Sequence, residues 1–192
     1  MPALFTHCVV GLAAGAAWGT GVKPRPRGLL AISALCAGLP DVDIIGNRLG
    51  MPFGSMLGHR GFSHSFLFAA LLAAVVMFAW FRKERPFTGL WWGLFGFLFA
   101  VTASHGILDM LVHGAQGIPL LSPFDNTRFS FAWQPLVVSP VKLREIWSRW
   151  LLHVLWIEVP RIWLPAFCLA GLWRGAWLFC RRNLCPAPQA ET

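Results

Sequence analysis

The sequence predicts an all-α integral membrane protein, and three observations carry that prediction. Hydrophobic residues make up 56% of the 192 and charged residues 12%, about half the roughly 25% charged content of soluble domains. Five stretches are free, or nearly free, of Lys, Arg, Asp and Glu: 1–22, 28–40, 61–81, 86–108 and, interrupted by Arg174 alone, 162–180. The basic residues between these stretches gather in short turns. A soluble fold could not cover its surface with so few charges. Disorder is excluded too, since it requires low hydrophobicity.

The elements follow in order. Run 1–22 is long enough to cross a bilayer, which takes about 20 apolar residues. It is rich in Gly and Ala and should pack closely against a neighbour. Its basic residues follow it, at Lys23, Arg25 and Arg27. A signal peptide would carry them in front, so the run reads as a retained segment. Run 28–40 is short; it crosses with help from flanking residues or re-enters partway. Runs 61–81 and 86–108 meet the spanning length, and run 162–180 meets it if Arg174 snorkels toward an interface. The turns KPRPR (23–27) and RKER (82–85) are short enough to demand two antiparallel helical hairpins. The expected architecture is therefore four to five membrane helices: two hairpins plus a C-terminal helix.

Segment 117–140 is bounded by Gly and Pro, alternates at Phe129, Phe131 and Trp133, and reads as loop or short extended structure. Residues 142–152 place Leu143, Ile146, Trp147, Trp150 and Leu151 on one helical face, an amphipathic helix suited to the headgroup region. Three regions result: a helical core over 1–116, an interfacial region over 117–160 and a C-terminal membrane helix and tail over 161–192. Short loops rich in Lys and Arg face the cytoplasm, which puts both hairpin turns, Arg181 and Arg182 inside. The net charge of +8 follows from this topology and from anionic lipid, so no nucleic-acid partner is expected. The five Cys form no C-x-x-C pair and imply neither a disulfide framework nor a zinc knuckle.

Chemistry collects at the opposite face. His7 lies near the start of run one. Asp41 and Asp43 follow run two in LPDVD (39–43). His59 and His64 open run three in GHRGFSHS (58–65), and His105 and Asp109 end run four in SHGILDMLVHG (104–114). Two hairpins bring all seven to the membrane face away from the basic turns. His105 and Asp109, four apart, share one helix face. His7, Asp41 or Asp43, His59, His64, His105 and Asp109 are enough ligands for two divalent ions, with Zn, Mn and Fe suiting such N/O donors. A pair of metals activates water and clamps the oxygens of a phosphoester displacement. Arg60 and Arg128 are close enough in sequence to hold a phosphate oxygen bidentately. His113 and Asp125 follow the cluster, and whether they and Arg128 join it stays open at this level. Each residue also has a bland role: a helix-ending Asp pair, a headgroup-anchoring Arg60, an interfacial His113. Intramembrane His and Asp are nevertheless costly and tend to be functional.

The ordered set His7, LPDVD, GHRGFSHS, His105-x-x-x-Asp109 and GIPLLSPF (117–124) resembles the YdjM-like family of bacterial inner-membrane predicted metal-dependent hydrolases, whose founding members are described as LexA-regulated. The motif resemblance covers about residues 1–131. That family is in turn similar to the zinc-dependent phospholipase C and single-strand nuclease superfamily. The resemblance implies His7, Asp41 or Asp43, His59 or His64, His105 and Asp109 as metal ligands. Two features depart from the superfamily: it uses a mature N-terminal amino group as a ligand, and its second His-x-x-x-Glu pair is met here only by His153 and Glu158, at a different spacing. One or two ions, zinc first, are therefore expected rather than three.

The resulting expectation is a multi-pass protein of the bacterial inner membrane with its site on the periplasmic face. It would hydrolyse a phosphoester of a lipid or lipid-linked substrate, with Asp41 or Asp43 as bridging ligand or base and Arg60 holding the phosphate. The alternative is a non-catalytic membrane protein that binds metal for structure, sensing or transport.

Overall fold

The computed structural model describes residues 4–18, 28–114, 116–137 and 149–184. Seven α-helices appear among them: α1 (Leu4–Trp18), α2 (Leu29–Gly38), α3 (Ile44–Arg48), α4 (Phe66–Ala79), α5 (Gly89–Asp109), α6 (Arg149–Glu158) and α7 (Leu164–Leu184). The described residues contain no β-strand, only the isolated bridges Ile118 to Phe129 and Val112 to Leu136.

The first hairpin is antiparallel and closely packed, as its small residues predict. A Cβ on Gly11 would collide with the Ser33 carbonyl, and one on Gly15 would lie 2.9 Å from the Ser33 hydroxyl. One on Gly38 would lie 2.8 Å from the Cys8 sulfur. Without water to drive helices together, such close approach is what holds membrane helices. Run 28–40 does not stop where its apolar residues stop. α2 tightens into a 3-10 turn, Leu39–Asp43, with Pro40 at its start, and continues through α3. The 20 helical residues Leu29–Arg48 are long and apolar enough to cross a membrane.

The second hairpin pairs α4 with α5. Phe66 lies against Phe99 and Phe78 against Trp91, an antiparallel register. α5 spans 21 residues, but α4 has only 14. At about 1.5 Å per residue, α4 is about 21 Å long, short of the roughly 30 Å hydrocarbon core. Run 61–81 is thus less helical than its composition predicts. Its first residues form a 3-10 turn, Phe62–His64, and the Ser65 hydroxyl then caps α4 by accepting from the Phe68 N–H at 3.1 Å. The missing turn is what carries His64. Thr88 caps α5 in the same way, accepting from the Trp91 N–H.

α6 and α7 are joined by a π-helical turn, Val159–Trp163, containing Pro160. A wider turn accommodates the proline, which offers no N–H. Residues Leu155–Cys180 form the third candidate span, and 11% of its most apolar stretch is buried. Leu169, Leu172 and Phe179 lie outward, as suits a helix facing lipid. The expected amphipathic helix over 142–152 lies mostly outside the described residues. Segment 117–137 is loop, as expected. The main core joins Leu29, Ile32 and Cys36 of α2 to Ala73 and Met77 of α4 and Leu94, Leu98 and Val101 of α5. It locks the hairpins together below the site.

Candidate metal centre

Four elements converge at one end of the bundle. α1 supplies His7, the 3-10 turn after α2 supplies Asp41, the turn before α4 supplies His64, and the last turns of α5 supply His105 and Asp109. All five are buried, with at most 4% of their surface exposed. His7 stacks on His105 with ring centroids 3.7 Å apart. Gly106 allows the close approach of α5 to the His64 turn: a Cβ there would lie 2.8 Å from the His64 carbonyl oxygen.

The hydrogen bonds behind these residues decide which atoms face inward. His105 Nδ1 lies 2.7 Å from the Ala37 carbonyl oxygen. A carbonyl only accepts, so Nδ1 donates, which in the neutral ring leaves the lone pair on Nε2. Ala37 is in the last turn of α2, where carbonyls lack their usual helical partner. His64 Nδ1 lies 3.2 Å from Asp43 Oδ2 and so donates as well. In the neutral ring that leaves a lone pair on His64 Nε2. The two Nε2 atoms are 3.1 Å apart. With both rings neutral, each Nε2 is an acceptor, and the two cannot bond each other.

The carboxylates add further acceptors to the same point. Asp41 Oδ1 lies 3.3 Å from His105 Nε2 and 3.8 Å from His64 Nε2. Asp109 lies 3.5 Å from His7 Nε2 and 3.6 Å from His64 Nε2. Both oxygens of Asp41, both of Asp109 and both ring nitrogens of His7 make no hydrogen bond. Leaving such groups buried costs about 1–3 kcal/mol each, more for charged ones. A cation removes that cost. Bonds of about 2.0–2.1 Å in tetrahedral geometry place ligand atoms about 3.3–3.4 Å apart, close to the spacings here. Three overlapping sets have ligand atoms mutually within 4.8 Å: His7–Asp41–His105, Asp41–His59–His64 and His64–His105–Asp109. The donor set therefore fits divalent metal, and Asp41, His64 and His105 each belong to two of the three sets.

Asp43 stands one step behind. Its Oδ1 accepts from His59 Nδ1 at 2.6 Å. Its Oδ2 accepts from the Ser63 hydroxyl and, at 3.1 Å, from the Arg60 N–H. It orients His59 and His64 rather than presenting a bare oxygen, and it is in none of the three sets. Arg60 points inward. It is 3% exposed, has φ of 63°, and its Nε lies 3.3 Å from Asp109 Oδ2. A non-glycine residue at positive φ is strained and persists where the surroundings hold it. Three carboxylates thus meet one guanidinium beside the imidazoles, an excess of acid that favours a cation.

The open residues now find their places. Arg128 binds backbone: it donates to the carbonyls of Gly117 at 2.8 Å, Gly54 at 2.7 Å and Arg60 at 3.0 Å. Burial, then the Arg60 charge, push its pKa down, though an arginine keeps its proton. Asp125 is exposed and accepts from the Thr127 N–H at 2.8 Å. His113 is exposed and in no metal set. Two residues outside the expected ligand set brace it. Ser63 holds Asp43, and Glu158, wholly buried, accepts from the Thr6 hydroxyl at 2.5 Å. Trp163 Nε1 donates to the same hydroxyl at 2.8 Å, so the π turn is tied to α1 one residue before His7. The sequence signal for Glu158 was an acid inside the apolar stretch LWIEVP.

Fold and site together define a multi-helix membrane protein with a buried His/Asp cluster at one end of its hairpins. The chain belongs to the YdjM inner membrane protein family, whose model matches residues 1–183, well past the 131 residues that the motifs alone reach. It is 35% identical to inner membrane protein YbcI of Escherichia coli K12 over 179 residues, covering 91% of this chain and 99% of that protein. It is 34% identical to inner membrane protein YdjM of the same organism over 136 residues, covering 61% of this chain and 63% of that one. No solved structure matches it.

Proposed function

We propose that the protein is a metal-dependent hydrolase of the bacterial inner membrane, acting on a phosphoester of a lipid or lipid-linked substrate. The observation that carries this reading is the convergence of ring nitrogens and carboxylate oxygens from His7, Asp41, His64, His105 and Asp109, with both oxygens of Asp41, both of Asp109 and both ring nitrogens of His7 left without a hydrogen-bond partner. These residues would hold one or two divalent ions, zinc first, with manganese or iron also suited to the donors. A bound divalent ion supplies Lewis acidity and an activated water. The chain's own groups do the rest. Asp41, facing two imidazoles, is the base nearest the centre, and Asp43 fixes the imidazole tautomers. Arg60, beside Asp109, places a positive charge where a phosphate oxygen would sit. Met56, Leu57, Leu121 and Phe124 are exposed on the loops at this end, which suits a mouth at the lipid interface. The site lies away from the basic turns, on the periplasmic face by the positive-inside rule. The distant superfamily resemblance supports the phosphoester class.

One observation favours a second reading. The five convergent ligands are fully or nearly buried, and structural sites are closed while catalytic ones keep an open position. The same purified protein tests both. It should carry about one or two metal ions per chain and lose phosphodiesterase activity on chelation. His105→Ala should remove turnover while the chain stays folded. If His105→Ala unfolds the chain and chelation leaves activity unchanged, the site is structural.

A further inference from the structure

Beside the cluster lies a second polar space that the proposed metal chemistry does not use. It is a pocket of about 230 Å³ lined by Gly54, Met56, Gly61, Pro119, Ser122, Asn126 and Arg128. It is smaller than the 300–1,000 Å³ of drug-sized sites, so it suits one compact group. The Ser122 hydroxyl is buried, 1% exposed, and makes no hydrogen bond. A buried hydroxyl without a partner is costly unless something fills the space in front of it. No carboxylate lines the pocket. The nearest acid in sequence, Asp125, is bound to the Thr127 N–H. No ion pair joins Arg128 to an acid among the described residues; its guanidinium donates to carbonyls. Its charge is left for an anion. The Arg60–Gly61 peptide forms the wall between the two sites: Gly61 lines the pocket, while the Arg60 side chain reaches Asp109.

We propose that this pocket is an anion subsite, with Ser122, Asn126 and Arg128 as its donors, that takes a second phosphate-class group of the substrate. The substrate would then carry two anionic groups, one at the metals and one here. Only the role of the first group rests on the hydrolase reading; the subsite stands on its own geometry.

Binding of inorganic phosphate to the full chain in neutral detergent tests it, before and after chelation. Asn126 is exposed at the pocket mouth, so its substitution disturbs no core. Asn126→Asp sets a like charge against the anion and should weaken phosphate binding by about tenfold or more. Asn126→Lys should tighten it. Both effects should persist in the chelated protein. Nanodiscs of phosphatidylcholine with and without phosphatidic acid distinguish the source. A lipid phosphate in the pocket makes free phosphate bind more weakly as phosphatidic acid rises, and a soluble ligand leaves it unchanged. Phosphate binding that both Asn126 variants leave unaltered overturns the subsite. Charge-dependent binding in a protein that holds no metal overturns the hydrolase reading and leaves the subsite standing.

Discussion

Asp43 and Asp41 are two residues apart and differ in function. Asp41 presents bare oxygens to the imidazoles, whereas Asp43 has both oxygens bonded to the loop 59–64. Asp43 would therefore act on a bound metal through His59 and His64. Carboxylates behind ligating histidines fix the tautomer, and their loss costs about 10–100-fold in metal affinity. Asp43→Asn should weaken zinc binding by that factor in a competitive chelator titration, with helicity unchanged by circular dichroism. Asp109→Asn should cost more, since it removes an atom of the cluster itself. His113→Ala, outside every metal set, should leave the titration unaltered.

Helix pairing sets where those residues stand. His7 reaches Asp109 only because α1 lies close against α2, and that closeness rests on glycines. A methyl on Gly11 would strike the backbone of Ser33, which cannot rotate away as a side chain can. Overpacking of this kind costs about 1–3 kcal/mol. Gly11→Ala should lower the thermal unfolding temperature in detergent and release metal with it. Gly96→Ala is the matching control. Nothing lies within 4 Å of its added methyl, and alanine favours the helix by about 0.5–1 kcal/mol over glycine. That variant should be as stable as the parent or more so. The short α4 follows the same logic in reverse. Residues 62–64 are withheld from the helix so that His64 turns in and Asp43 bonds its ring.

At the scale of the whole molecule, the basic α4–α5 turn and the His/Asp cluster sit at opposite ends of the second hairpin. Arg82, Lys83 and Arg85 lie between α4 and α5, the cluster lies at the far end of that hairpin, and the sequence expects Lys23, Arg25, Arg27, Arg181 and Arg182 on the same side as the α4–α5 turn. The positive-inside rule then gives an orientation. In a background lacking the native cysteines, Leu57→Cys should label with a membrane-impermeant thiol reagent in intact cells, and Lys83→Cys should label only after permeabilisation. The reverse pattern would put the site on the cytoplasmic face.

The scarcity of charge made the class of fold readable in the sequence, since apolar runs of membrane length admit few architectures. It also made the convergent end readable, because two short turns force helix ends together and acids in apolar surroundings are costly. Tertiary structure decided the finer roles. The division of work between Asp41 and Asp43, the backbone duty of Arg128 and the tie from Glu158 to Thr6 all depend on which atoms come within hydrogen-bond reach across separate helices. Such reach is set by ångström-scale approach at residues like Gly11 and Gly106. Residue spacing along one chain carries no record of it.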